Sequence, residues 1–378
     1  MLLRYLYIVA LLITGSSCTS IEESTFEMAE LGQALFFDTN LSLTRNQSCS
    51  SCHEPGAAFS DNRANIVGGA VSIGDDSRSL GDRNTPSIAY ADQVPNFHVN
   101  QGGEYVGGLF LDGRSATQAE QAQEPFLNPV EMAMPNSAAL VDRIRENPSY
   151  VASFSALFGR RILDDPDSAL TAIGESIATF ERSDLFSSFD SKYDRFIRGE
   201  YVLSAEEELG RMLFFSQLIS CHGCHLLDQR ENTQHELFTD HTYHNIGLPV
   251  NDAVRARNGV SEPDVGLLGN PRVDDYSHAG KFRVPSLRNV AVTAPYMHNG
   301  VFQDLETAIL FYDKFLLSTI GANTNPETSK PWGEPEVAEN IELNLLQQGQ
   351  PITPRRASAL AAFLRALTDE RYESLLEQ

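Results

Sequence analysis

The stretch "NQSCSSCHEP" at residues 46–55 sets Cys49 and Cys52 three apart, with His53 directly after the second. The same spacing returns as Cys221-His222-Gly223-Cys224-His225. Three chemistries use such a pair. A structural zinc ion takes four Cys or His ligands in a tetrahedron, and the two motifs together could supply four. Zinc does not require a histidine next to the second cysteine, however, and the motifs stand far apart, each with its own matching approach. A thioredoxin-like dithiol wants a strand-turn-helix setting that the flanks lack, and it leaves the histidine unexplained. Covalent haem accounts for every residue. Cysteines on one turn reach the two vinyl groups as thioethers, and the next residue rises beneath the iron as proximal ligand. The chain is therefore read as holding two c-type haems, with His53 and His225 as iron ligands.

Upstream of the motifs, "STFEMAELGQALFF" and "SAEEELGRMLFF" share Glu-Leu-Gly and Leu-Phe-Phe at the same mutual spacing. Each opens on Ser-x-x-Glu, Ser24/Glu27 and Ser204/Glu207, the signature of a capping box at a helix start. One unit used twice predicts an all-α fold of two cytochrome c-like domains. Leu170, Ile173, Ile177 and Phe180 fall on one helical face behind Asp165 and Pro166. Ala357, Leu360, Ala361, Leu364 and Leu367 form another behind Thr353 and Pro354. Segments 60–108 and 226–292, rich in Gly, Asp, Asn and Pro, read as long ordered loops that need a flat apolar group to pack on.

With 378 residues and 42% hydrophobic content, the chain has a real core. Its 28 basic against 51 acidic residues, net −23, leave no clustered cations for phosphate, so no nucleic-acid partner is expected. Residues 1–20 have an early arginine, a short apolar run and then small residues, the layout of a signal peptide. The protein is thus expected in the periplasm. Cys18 stands where a lipoprotein signal carries its lipid, although Gly15 departs from the Leu-like residue usual there. The remaining four cysteines all lie in the two motifs, leaving none for structural disulfides.

"RNTPSIA" (83–89), "LFLDGRSATQAEQAQEPFLNPVEM" (109–132), "YHNIGLP" (243–249), "FRVPSLRNVAVTAPYMHNG" (282–300) and "ASALAAFLRALTDERY" resemble the bacterial di-haem cytochrome c peroxidases and their relative MauG, in one order over nearly the whole mature chain. The resemblance implies a peroxidase with its peroxidatic haem in an amino-terminal domain, 21–198, joined by a C-terminal helix at 354–378. An electron-transfer haem domain would then span 199–353. Anchored on Asp-Gly-Arg at 112–114, it implies that Gln121 and Glu131 handle peroxide on the open side of the first haem. Taken alone, Glu131 would be a solvated surface charge.

Many members block that iron with a loop histidine, and "GDDSRSLGDRN" has none, so the first haem is expected open in the resting protein; His98 is the nearest substitute. Where the typical member supplies methionine to the second haem, this chain has Tyr312, as MauG does, with Met297 as the competing ligand. Asn84, Thr293 and Pro295 match the positions that hold a calcium ion. Leu111 and Ile219 stand where MauG carries tryptophans. The implied activity is reduction of hydrogen peroxide with electrons from a small c-type cytochrome or cupredoxin. The alternatives are MauG-like oxidation of a side chain on a partner protein and a non-catalytic di-haem electron carrier.

Overall fold

The computed structural model describes residues 19–219, 221–226, 235–316 and 323–377. Cys18 and nearly all of the leader lie outside them. The longer helices are α1 (Thr19–Phe37), α2 (Ser137–Arg145), α3 (Pro148–Phe158), α4 (Pro166–Glu181), α5 (Lys192–Ile197), α6 (Ala205–Phe214), α7 (Asp252–Asn258), α8 (Leu305–Phe311) and α9 (Pro354–Arg365). The fold is helix-rich rather than strictly all-α, because three antiparallel pairs of two-residue strands pin the long loops: β1–β2 (His98–Val99, Tyr105–Val106), β3–β4 (Tyr243–His244, Phe282–Arg283) and β5–β6 (Thr324–Asn325, Lys330–Pro331). No helix among the described residues is long and apolar enough to cross a membrane.

Two apolar cores organise the chain. In the first, Leu31, Leu35 and Phe36 of α1 pack on Ile173, Ile177 and Phe180 of α4. In the second, Leu213 and Phe214 of α6 pack on Leu360, Phe363 and Leu364 of α9. The shared Glu-Leu-Gly motif explains both crossings. A Cβ at Gly32 would lie 1.9 Å from Ser176 O, and one at Gly210 would lie 1.9 Å from Ala359 O. Only glycine lets the two backbones come this close.

The duplication extends well past these helices. Phe59-Ser60-Asp61 recurs as Phe238-Thr239-Asp240, and in each copy the aspartate Oδ1 accepts the backbone N–H two residues on, from Arg63 and Thr242. Pro86-Ser87 recurs as Pro285-Ser286. Ser87 Oγ donates to Ala58 O and Ser286 Oγ to Leu237 O, each the residue before the repeated phenylalanine. The turns closed by Leu109↔Ser115 and Tyr296↔Phe302 correspond, and Thr117 and Asp304 cap the helices that follow. The units then clasp each other: Asn84 N–H donates to His298 O at 2.7 Å, while its counterpart Arg283 N–H donates to Leu111 O at 2.9 Å.

Three expectations need correction. α1 runs back to Thr19, so Ser24 and Glu27 lie inside it, since nothing between Thr19 and Glu23 breaks a helix. Ser204/Glu207 forms the reciprocal box. The expected helix 354–378 stops at Arg365 and belongs to the second core, because its apolar face covers α6. Only the tail beyond it returns to the first unit, as a 3-10 helix over Glu370–Glu377, with Tyr90 Oη donating to Asp369 Oδ1 at 2.6 Å. The second core also begins before residue 199, since Tyr193 of α5 packs on Phe238 and Phe363.

Candidate functional site

Cys49 and Cys52 form a single helical turn whose C-cap is His53; Cys221 begins a 3-10 turn ahead of Cys224 and His225. His53 Nδ1 lies 3.1 Å from Phe59 O, and His225 Nδ1 lies 2.9 Å from Phe238 O. A carbonyl only accepts, so each Nδ1 carries the proton and each Nε2 keeps its lone pair. Burial holds both imidazoles below their usual pKa, hence neutral. A hydrogen bond of this kind orients a metal-ligating histidine. Both phenylalanines sit in the left-handed region, φ 56° and 58°, which turns their carbonyls back toward the ring.

All four thiols are unpaired. Burial raises Cys49 and Cys52, and pushes Cys221 and Cys224 up to about 12. They are neutral thiols rather than thiolates. Cys49 packs against the first core and Cys221 against the second, so the pairs cannot share one ion. Thiols free to add to vinyl groups, beside an imidazole with its Nε2 lone pair presented, fit a haem at each site.

Around the first site, Glu131 Oε1 accepts from Asn128 Nδ2 at 2.9 Å. Burial raises its carboxyl, opposed by Arg114. Its charge acts on the Cys49 thiol, as does that of Glu181. Gln121 closes the short helix Gln118–Gln121 and is half-buried. One turn earlier, Gln118 Nε2 donates to Glu181 Oε2 at 2.8 Å. The Asp-Gly-Arg anchor is locked: Asp112 binds Arg114 and Arg83, and the Arg114 guanidinium lies 3.5 Å from the Phe110 ring centroid. His98 is exposed on β1, with Nδ1 2.8 Å from Asn96 O.

At the second site, Tyr312 opens a 3-10 turn directly after α8. It is 39% exposed, and its hydroxyl lies within electrostatic reach of the second thiol pair. Crowding, then Cys224 and Cys221, push its hydroxyl above the usual phenol range. Met297 has φ 72° and packs against the second core. Of the calcium candidates, Asn84 Nδ2 donates to Ala70 O, while Pro295 lines a crevice of about 280 Å³ with Asp61, Asn65 and Gly68. Asn84 and Pro295 thus border the same turn at 68–70. Thr293 Oγ1 donates to Val290 O.

The residues missed from sequence are Phe59, Phe238 and Glu181. The repeated Phe-[Ser/Thr]-Asp carries the signal for the first two, but it follows the motif histidine at unequal distances. Glu181 has no sequence signal, since it reads as one more charge at a helix end.

A duplicated helical fold with a neutral, carbonyl-oriented imidazole beside a thiol pair in each half defines a two-haem protein. A family model for di-haem cytochrome c peroxidase matches residues 26–202. Methylamine utilization protein MauG of Paracoccus denitrificans (strain Pd 1222) is 50% identical over 353 residues, 93% of this chain and 91% of that one. Cytochrome c peroxidase Ccp of Escherichia coli (strain K12) is 30% identical over 283 residues, 74% of this chain and 51% of that protein. The crystal structure of the diheme peroxidase BthA from Burkholderia thailandensis E264 superposes with a TM-score of 0.79 at 33% identity, covering 92% of this chain and 87% of the other. The chain belongs to the di-haem cytochrome c peroxidase and MauG family. It is a peroxide-using oxidoreductase whose cofactors are two haem groups.

Proposed function

We propose that this enzyme reduces hydrogen peroxide at a haem bound covalently by Cys49 and Cys52 and ligated by His53. A second haem, bound by Cys221 and Cys224 and ligated by His225, passes in electrons from a small c-type cytochrome or cupredoxin. When bound, the haems supply iron that exchanges electrons with peroxide and with the donor. The observation that carries the reading is an asymmetry. Both sites have thiols and an oriented imidazole, but a buried carboxyl, Glu131, lies within electrostatic reach of the first, whereas a phenol, Tyr312, lies within reach of the second.

Glu131 has Oε1 engaged by Asn128, which leaves Oε2 to take a proton from the near oxygen of peroxide and return it to the far one. Gln121 would orient the peroxide. Tyr312 would ligate the second iron as phenolate. Because its hydroxyl resists ionisation in this setting, ligation must release a proton and would weaken at low pH. Asn84, Thr293 and Pro295 would offer oxygen donors to calcium. Export to the periplasm, with Cys18 as a candidate lipid anchor, belongs to the same reading.

Glu131→Gln should slow peroxide decay by about 10²-fold or more with the absorption spectrum retained. An unchanged rate would instead favour a non-catalytic electron carrier. EPR of the oxidised protein should show a high-spin signal from the first haem; only low-spin iron would mean that a strong sixth ligand closes it. A far-red methionine–iron charge-transfer band would replace Tyr312 by Met297.

The second reading is peroxide-driven oxidation of a side chain on a partner protein. It is favoured by Tyr312 and by the 50% identity to MauG. Steady-state turnover with small donors, set beside mass spectrometry of candidate partners, separates the two.

A further inference from the structure

Arg283 lies opposite Tyr243 in the β3–β4 pair. Its strand runs beside the segment whose Phe238 carbonyl holds His225: Thr239 Oγ1 donates to Val284 O at 2.7 Å, and Val284 N–H to Thr242 O at 2.8 Å. Its own N–H reaches Leu111 O across the seam. The residue therefore stands between the second thiol–imidazole site and the first unit. Strand alternation sends its neighbour Phe282 the other way, onto the His298 ring at 3.6 Å.

The guanidinium differs from the other arginines of the interior. Arg83 is held by Asp112 and Asp264, Arg288 by Asp194, and Arg255 by Asp82 and Glu336. Arg283 has no ion pair among the described residues. Its Nη1 lies 3.3 Å from His241 Nδ1, which is an imidazole and not a carboxylate, and its Nε is sealed from solvent without a partner among the described residues. Burial lowers its pKa, with only Tyr243 acting against that. A guanidinium does not give up its charge in a protein, and a buried charge without a counter-ion is strongly disfavoured. Among the described residues no anion answers this buried cation.

We propose that Arg283 anchors a carboxylate of the second haem, a propionate taken at Nε by the planar guanidinium. A fork of two parallel N–H donors suits a carboxylate better than a point charge does. The inference rests on the haem reading above. Its effect is to fix the rotation of the second haem at the seam and to neutralise a charge that would otherwise stabilise ferric iron.

The test is a spectroelectrochemical titration of the full-length holoprotein, with haem counted per chain first. Fewer than two haems would sink the cofactor reading itself. With two present, Arg283→Gln should lower the midpoint potential of the second haem more than that of the first, and Arg283→Lys should restore most of the shift. An unchanged second potential, a shift confined to the first haem, or Gln and Lys variants displaced alike would overturn the proposal. Should Arg283→Gln fail to assemble, resonance Raman of wild type against Arg283→Lys decides. The propionate bending mode of the second haem must move, and an identical band overturns the anchor.

Discussion

Glu181 is a carboxyl that burial pushes up to about 7 from 4.5, with Gln118 its hydrogen-bond partner. A folded-state pKa above the unfolded one means that the fold holds the proton more tightly. Its contribution to stability is therefore complete below about pH 4.5 and is lost as pH rises through 7, a total on the order of 3 kcal/mol. Glu181→Gln keeps the shape and removes the proton. Urea unfolding of variant and parent should agree near pH 4, and the variant should be the more stable by pH 8. Parallel curves would show that Glu181 does not carry this charge. Since Gln118 stands one turn before Gln121, the same substitution tests whether the helix Gln118–Gln121 depends on a neutral neighbour.

Among the elements, the helix crossings make the sharpest prediction. A methyl at Gly210 would fall 1.9 Å from Ala359 O and 2.8 Å from Phe363 Cβ, so α6 and α9 must part. Gly210→Ala should destabilise the second unit by about 1–3 kcal/mol or more, read as a lower melting temperature. An unaltered melting curve would mean that the helices already have room. The helices themselves were legible in the sequence, because Glu-Leu-Gly recurs and the stripes at 170–180 and 357–367 have helical period, but their pairing was not, since the last stripe was expected on the first unit. Nor was the rest of the duplication. Phe-Ser-Asp against Phe-Thr-Asp and Pro-Ser against Pro-Ser are pieces of two or three residues, separated by loops of unequal length and held by side-chain to carbonyl bonds that leave no periodicity. Ser24 misled for a related reason: a capping signature marks a helix start only where the preceding residues cannot continue the helix.

At the scale of the whole molecule, one carboxylate joins the halves. Asp369 accepts from Tyr90 Oη and from Asn289 Nδ2 at 2.8 Å, and these two residues hold equivalent places in the repeat, each at positive φ before a 3-10 turn. Arg288, paired with Asp194, lies over the Tyr90 ring. Asp369→Ala would strand two buried donors at about 1–3 kcal/mol each. The expected outcome is thermal unfolding in which the two haem spectra no longer change together; a single shared transition at the parent temperature would dismiss the tie. The mutual clasp of Asn84 on His298 and Arg283 on Leu111 reaches further still. Since each half completes hydrogen bonds that the other begins, a cut between residues 181 and 192 would not yield two small cytochromes. It would leave two torn edges with unmet backbone donors, so the fold has to be inherited and made as one polypeptide. A single-unit ancestor would have needed a second copy of itself to close the same gap.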